Sequence, residues 1–237
     1  MIIFSDLDNC MLDSRYTASE LRNFVRGLIS RGIKLAIVSS KTEREIIYHL
    51  DELGIAAAYA AENGCLIVVG GKRYESGTTS DVIKKDLLKL AQISGVEIEL
   101  LSEMENEEIK RLTNLPEHII PLAKERDFSQ PFRIVGCNQD KFSEELRSLG
   151  YSVMLGGRFY QISKGCSKGK AVRIIRKHIS GYAIGIGESE NDFPMLDECD
   201  YPVILRNECS SKYRRFKGYG PRAWEKAVKK VIEEING

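Results

Sequence analysis

Three short runs of this chain, MIIFS at 1–5, KLAIVS at 34–39 and YAIGIG at 182–187, are apolar at successive positions instead of alternate ones. A strand with one wet face alternates, whereas a strand apolar throughout has both faces covered. That is the signature of a parallel sheet with helices above and below it. The segments between the runs have helical periodicity. In TASELRNFVRGLISRG at 17–32, Thr17 and Glu20 have capping-box spacing, Leu21, Phe24, Val25, Leu28 and Ile29 share a face, and Gly32 is the stop. A second capping box, Thr42 and Glu45, opens a helix with Ile46, Ile47, Leu50 and Leu53 inside and Gly54 at its end. SKGKAVRIIRKH at 167–178, a short DFPMLDE at 192–198 and PRAWEKAVKKVIEEI at 221–235 are further helices, the last with Pro221 at a first helical position.

The middle of the chain has another rhythm. Residues 80–94 and 103–115 are helical in pattern, while VEIELL, FRIVGC, YSVML and FYQIS are strand candidates. The last two are joined across Gly156-Gly157, which suits a tight hairpin. The expected fold is therefore α/β: a Rossmann-like parallel-sheet core made of residues 1–77 and 164–237, with an inserted α+β domain at 78–163.

Charge and hydropathy exclude several classes. The chain has 35 Lys and Arg against 34 Asp and Glu, so nothing in the overall balance favours nucleic acid as a partner. The basic run KYRRFKGYGPR at 212–222 reads as a solvated face. No apolar run approaches the ~18 residues of a membrane span. The N-terminus lacks the basic-then-apolar pattern of a signal peptide. Six cysteines, at 10, 65, 137, 166, 199 and 209, form no CxxC pair and have no histidine at metal-ligand spacing. The expectation is a cytoplasmic protein with reduced thiols.

Ligands of an open parallel sheet bind beyond the carboxyl ends of its strands. After MIIFS come Asp6 and Asp8, after KLAIVS come Ser40 and Lys41, and Ser39 ends that run. After YAIGIG come Glu188, Asn191 and Asp192. Four carboxylates delivered to one edge suit a hard cation bound through oxygen, and Mg²⁺ is the natural choice. Two aspartates at i and i+2 on an extended chain point to one side, so one can attack an electrophile while the other moves protons. A carboxylate nucleophile with Mg²⁺ is the chemistry of an aspartyl-phosphate. The hydroxyl of Ser39 and a lysine would neutralise and hold the phosphoryl oxygens.

DLDNC at 6–10, SSKT at 39–42, the lysine of SKGKAV at 167–172 and GESEND at 187–192 together resemble the four motifs of the haloacid dehalogenase-like phosphatases. The inserted segment resembles the C2-type cap of that superfamily. ENG at 62–64, KERDFSQPF at 124–132, GGRFYQ at 156–161, GESENDFPML at 187–196 and GPRAW at 220–224 resemble the mannosyl-3-phosphoglycerate phosphatase subfamily. The resemblance implies a Mg²⁺-dependent monoester hydrolase acting on a small phosphorylated substrate. It implies Asp6 as nucleophile, Asp8 as general acid and base, Ser39 and the Ser40 backbone on a phosphate oxygen, and Lys168 beside Asp6. It implies Asp6, Asp8, Glu188 and Asp192 around the metal. Lys41, Asn63, Arg126, Gly157, Arg158 and Asn191 would meet substrate, Arg126 and Arg158 at its carboxylate or sugar. The sequence departs from the family's common pattern at Asn9 and Cys10 in the first motif, at Glu188 in the fourth, and at Asp127 and Gln161 in the cap. Rival readings are a phosphatase for another small acid or sugar phosphate, a phosphohexomutase-type phosphotransferase, and a non-catalytic phosphate-ligand binder.

Overall fold

The computed structural model describes residues 1–136, 139–156, 158–206 and 212–237. Along the chain the elements are β1 (Ile2–Ser5), α1 (Arg22–Ser30), β2 (Lys34–Val38), α2 (Glu43–Leu53), β3 (Ala58–Ala61), β4 (Leu66–Val69) and β5 (Lys72–Glu75). Then come α3 (Ser80–Ser94), β6 (Glu97–Leu100), α4 (Asn106–Thr113), α5 (Ile120–Lys124), β7 (Ser129–Val135), α6 (Gln139–Ser148), β8 (Ser152–Gly156) and β9 (Phe159–Ser163). The chain closes with α7 (Lys168–Arg176), β10 (Ala183–Gly187), α8 (Phe193–Leu196), β11 (Tyr201–Leu205), β12 (Arg214–Phe216) and α9 (Gly220–Asn236). It divides into two compact units, Met1–Tyr74 with Ser167–Gly237, and Glu75–Cys166.

The first unit is built on a sheet in the order β12-β11-β10-β1-β2-β3-β4-β5. β1 pairs parallel with β2 on one side and with β10 on the other. The chain thus winds outward from β1 in both directions, and the crevice at such a reversal is where ligands of this architecture bind. The register sets Ser5 beside both Ile37 and Ile186. Asp6, Ser39 and Glu188 therefore leave the sheet at one edge within a residue or two of each other. One face is sealed by Ile2, Phe4, Ala36, Val38 and Ala60 against Ala171, Val172 and Ile175 of α7 and Met195 and Leu196 of α8. On the other, the fully buried Trp224 of α9 stands edge-on to Phe24 of α1 at 6.1 Å and donates to Ser5 Oγ at 2.8 Å.

Three expectations change here. The sheet is mainly, not wholly, parallel: Leu66–Val69 runs antiparallel to β3, because the chain reverses between them through Glu62, Asn63 and Gly64, all with positive φ. Thr17 and Glu20 form no capping box. The Thr17 hydroxyl donates instead to Glu52 at 2.6 Å, Glu20 pairs with Arg222, and residues 19–21 are a 3₁₀ turn that precedes α1. Ile47, expected inside, is 42% exposed. The basic run includes a strand, β12, and keeps an exposed face as expected, with Lys212 paired to Asp197 and Arg214 to Glu234. The Thr42–Glu45 capping box forms, and Gly54 ends α2 in the left-handed conformation.

Cys10 and Cys199 are free thiols. Cys65 and Cys166 are disulfide-bonded, against the expectation of reduced thiols. Cys137 and Cys209 lie outside the described residues. Among the described residues no helix is long and apolar enough to cross a membrane.

The second unit is an antiparallel sheet, β6-β7-β9-β8, with β8 and β9 a hairpin whose last pair is Gly156 and Phe159. Alternation along β7 and β9 sends Phe132, Ile134, Tyr160 and Ile162 to one face, where Ile83, Leu87 and Ala91 of α3 and Phe142 and Leu146 of α6 cover them. Arg133, Gln161 and Ser163 take the alternate positions, and Arg133 pairs with Glu99 and Glu108. Phe132 is fully buried, stacked on Tyr160 at 5.5 Å and edge-on to Phe142 at 6.3 Å. Phe132→Ala is expected to cost this unit about 3–5 kcal/mol in equilibrium unfolding. A loss under about 1 kcal/mol would contradict this packing.

Candidate active site

Asp6 continues β1 and is pinned there by its own backbone, whose N–H donates to Ile186 O at 3.1 Å. The next turn is tight: the N–H groups of Cys10, Met11 and Leu12 all converge on Leu7 O, and Asn9 takes a positive φ of 54°. Asparagine tolerates that region better than most residues, so the family's usual glycine at this position is not required. Cys10 is fully buried. Burial first, then the negative charges of Asp6, Asp192 and Glu188, push its thiol well above the ordinary range, so it stays neutral.

The Asp6 carboxylate is 5% exposed. Lys168 Nζ lies 3.2 Å from Oδ1, yet out of hydrogen-bond alignment, so that buried oxygen has no hydrogen bond. Burial raises the Asp6 pKa to about 7, with Asp192 and Asp8 adding to the rise and Lys168 and the Ser39 hydroxyl opposing it. Lys168 is 1% exposed, the first residue of α7 after its Ser167 cap. Burial alone would lower its pKa, but Asp192 and Asp6 more than offset this and hold it above the usual lysine range, hence charged.

Asp192 is fully buried and its two oxygens are both engaged. Oδ1 accepts from Lys168 at 2.7 Å, and Oδ2 accepts from the backbone N–H of Glu188 at 2.8 Å and of Ser189 at 3.1 Å. It therefore braces the start of the fourth motif. Its fit depends on Gly187, where any Cβ would collide with the Asp192 side chain. The Glu188 carboxyl is half-buried; burial and then Asp192 raise its pKa, with a hydrogen bond to Asn9 opposing.

Ser39 is fully buried, its N–H donating to Ala60 O at 2.9 Å and its carbonyl accepting from Asn63 N at the same distance. Ser40 follows it, half-buried. Asn63 belongs to a turn in which Glu62, Asn63 and Gly64 have φ of 48°, 60° and 90°. Two consecutive non-glycine residues there are costly, and such conformations concentrate at functional sites. The turn ties three motifs together. Glu62 N donates to Lys41 O at 2.9 Å, Asn191 Nδ2 donates to Asn63 Oδ1 at 3.0 Å, and a Cβ on Gly64 would stand 2.5 Å from Ser167 O. Sequence reasoning misses Glu62 and Gly64 as site residues, although ENG after an apolar strand is a visible signal.

Lys41 does not lie open for an anion. Its side chain is 6% exposed, with Nζ 3.0 Å from Asp8 Oδ1 and 3.3 Å from Glu45 Oε1. Arg126 and Arg158 belong to the second unit. Arg126 Nε donates to Ala123 O at 3.1 Å and its NH1 group to Ser129 Oγ at 3.0 Å, while Arg158 is exposed. Gly157 lies outside the described residues.

The site thus gathers Asp6, Asp8, Glu188 and Asp192 with two buried lysines, Lys168 beside Asp6 and Asp192 and Lys41 beside Asp8, and the buried hydroxyl of Ser39. The donors facing its open side are oxygens, which fits Mg²⁺. The hydrogen-bond-free Asp6 Oδ1, buried among like charges, is the atom that such a cation would satisfy. Among the described residues no three His, Cys, Asp or Glu side chains form a ready-made metal cage. Mg²⁺ does not require one, since it keeps waters and takes one or two carboxylates together with phosphate oxygens.

The chain is similar to known proteins in sequence and in fold. The family of haloacid dehalogenase-like hydrolases matches residues 3–211. A glucosyl-3-phosphoglycerate/mannosyl-3-phosphoglycerate phosphatase of Persephonella marina is 32% identical, covering 99% of this chain and 98% of the relative. A mannosyl-3-phosphoglycerate phosphatase of Pyrococcus furiosus is 30% identical over 86% of this chain and 90% of that one. Among solved structures, a haloacid dehalogenase-like hydrolase from Bacteroides thetaiotaomicron superposes with a TM-score of 0.71 at 18% identity, covering 99% and 98% of the two chains.

Proposed function

We propose that this chain, which belongs to the haloacid dehalogenase-like hydrolases, hydrolyses phosphomonoesters through an aspartyl-phosphate on Asp6, and that its substrate is mannosyl-3-phosphoglycerate. The observation that carries the chemistry is the Asp6 carboxylate: buried, at the sheet's reversal point, with one oxygen free of hydrogen bonds and Lys168 at 3.2 Å. The substrate is favoured by the names of the relatives in Persephonella marina and Pyrococcus furiosus, together with the shared motifs.

In the first step a carboxylate oxygen of Asp6 attacks phosphorus. The bond from phosphorus to the leaving oxygen breaks, its electron pair goes to that oxygen, and the Asp8 carboxyl supplies the proton. In the second step Asp8, now a carboxylate, takes a proton from water as the water oxygen attacks phosphorus. The bond between phosphorus and Asp6 breaks, returning the pair to Asp6. The sum is ester plus water to alcohol plus phosphate. Ser39, the Ser40 N–H and Lys168 hold phosphoryl oxygens, which is most of what phosphoryl transfer requires. Mg²⁺, held by Asp6, Asp8 and Glu188, supplies neutralisation of the phosphoryl charge when bound. Asp192, with both oxygens already engaged, serves the metal site by fixing Lys168 and the Glu188 backbone. Asn63 and Asn191, hydrogen-bonded to each other, would meet the substrate. The assignment of Arg126 and Arg158 to the substrate's carboxylate or sugar rests on the family resemblance.

The test is phosphate release from mannosyl-3-phosphoglycerate, glucosyl-3-phosphoglycerate, phosphoglycolate and hexose phosphates, each with Mg²⁺ and with a chelator. The expected result is fastest release from mannosyl-3-phosphoglycerate, reduced at least about 100-fold by the chelator, given several kcal/mol of charge stabilisation from the ion. Fastest release from another ester would move the substrate and keep the mechanism. Phosphoryl exchange between sugars without net release would make it a phosphotransferase, and no turnover of any ester would leave a phosphate-ligand binder.

A further inference from the structure

A proton-transfer group needs its carboxyl held within a fraction of an ångström of the reacting oxygen. Asp8 has little of its own to hold it there. Its side chain is 37% exposed, and it sits on a turn rather than in a strand. Lys41 pairs with it, Nζ to Oδ1 at 3.0 Å.

Lys41 in turn cannot wander. Its ammonium is 3.3 Å from Glu45 Oε1 and 5.3 Å from the centre of the Tyr16 ring. Glu45, whose side chain is 2% exposed, is anchored by the capping box of α2: its Oε2 accepts from Thr42 N at 3.0 Å, and its own N–H donates to Thr42 Oγ1 at 3.2 Å. Tyr16 has a positive φ of 58°, in a turn braced by Asp13 Oδ1, which accepts from Arg15 N and Thr17 N. A continuous line of contacts runs from the first turn of α2, through Glu45 and Lys41, to Asp8.

The same geometry argues against Lys41 as a phosphate ligand. Its ammonium is buried and already engaged by two carboxyl groups, at 3.0 Å and 3.3 Å, so it is not presented to an incoming anion. The charged contacts toward phosphate are left to Lys168.

We propose that Lys41 is a positioning residue: it selects the side-chain conformation of Asp8 that delivers a proton to the leaving oxygen, and Glu45 and Tyr16 hold it in that task. This rests on the phosphatase reading above. An alkoxide leaving group needs that proton, whereas an aryloxide or acylate departs without it. Loss of Lys41 therefore discriminates between leaving groups, which loss of phosphate binding or of structure does not.

The experiment is single-turnover phosphoryl transfer by wild type, Lys41→Met and Lys41→Arg. The esters are the alkyl phosphate that wild type turns over fastest, and p-nitrophenyl or acetyl phosphate. Lys41→Met is expected to slow the alkyl ester about 100-fold, the size of a lost general acid. It should slow the activated ester less than about tenfold and leave KM for both within about threefold. Lys41→Arg, which keeps the cation, should recover most of the alkyl rate. Should Lys41→Met fail to fold by circular dichroism, Lys41→Gln is read by the same ratio. Equal slowing of both esters would overturn the proposal in favour of a purely structural role. A parallel rise in KM for both, with kcat kept, would overturn it in favour of phosphate binding. A wild type that transfers phosphate from neither ester would overturn the phosphatase reading itself, and the role of Lys41 with it. An active wild type with an unselective Met variant overturns the role of Lys41 alone.

Discussion

Asp6→Asn is expected to lower phosphate release by at least about 10⁴-fold, the scale seen when a covalent nucleophile is removed, and to leave a protein that is no less stable. The change is isosteric, and Lys168 keeps Asp192 as its partner at 2.7 Å. Stability should even rise above neutral pH when the metal is chelated. Burial and the charges of Asp192 and Asp8 raise the Asp6 pKa from 3.8 to about 7. A raised carboxyl binds more protons folded than unfolded between those two values. Its contribution to stability is therefore full below pH 3.8 and is lost as pH rises toward 7. Asparagine removes that loss. The measurement pairs phosphate release with thermal melts at pH 5 and pH 8 in chelator. The variant's Tm, relative to wild type, should be higher at pH 8 than at pH 5. An active Asp6→Asn protein would sink the mechanism, and a variant that melts far below wild type at pH 8 would sink the electrostatic account.

Lys168→Met is expected to damage both fold and activity. Lys168 is 1% exposed and lies between Asp192 Oδ1 at 2.7 Å and Asp6 Oδ1 at 3.2 Å. Methionine fills a similar volume but leaves two buried carboxylates facing each other without a cation. Breaking a buried pair from one side costs about 3–5 kcal/mol, which for a chain of this size is a fall in Tm of roughly 10 °C. The rate should drop by about 10² to 10³, the cost of removing a group that stabilises developing charge. Adding Asp192→Asn should restore part of the stability but not the rate, because it removes the stranded charge without replacing the contact to phosphate. Full activity in Lys168→Met would exclude the lysine from the phosphoryl site. Unchanged stability would mean that the two carboxylates take up protons instead.

The parts of the site readable in the sequence are those set by local order. MIIFS followed by Asp6 and Asp8, and YAIGIG followed by Glu188, mark strand ends with acids on them, because burial on both faces leaves a continuous apolar run and polarity resumes where the strand stops. The Thr42–Glu45 box forms as its spacing implies. The identical spacing at Thr17 and Glu20 does not, because Glu52, 35 residues from Thr17, competes for the hydroxyl. Spacing along the chain names the candidates for a contact, and three-dimensional neighbours choose among them.

Local order along the chain was enough to establish the α/β class and the inserted α+β segment, since both rest on periodicity. It also established the order in which Asp6, Ser39, Lys168 and Glu188 arrive, since polar residues resume where each apolar run stops. The folded arrangement was needed to show that Lys41 faces Asp8 and Glu45, that Asp192 spends both oxygens on Lys168 and the backbone of residues 188 and 189, and that Asp6 keeps an oxygen without a hydrogen bond. A side chain's partner depends on sheet register and burial, and neither is written in nearest-neighbour order. The parallel pairing of β1 with β2 and β10 brings together residues from positions 6 to 192 of the chain, and the low-dielectric interior then permits only arrangements in which each buried charge finds another.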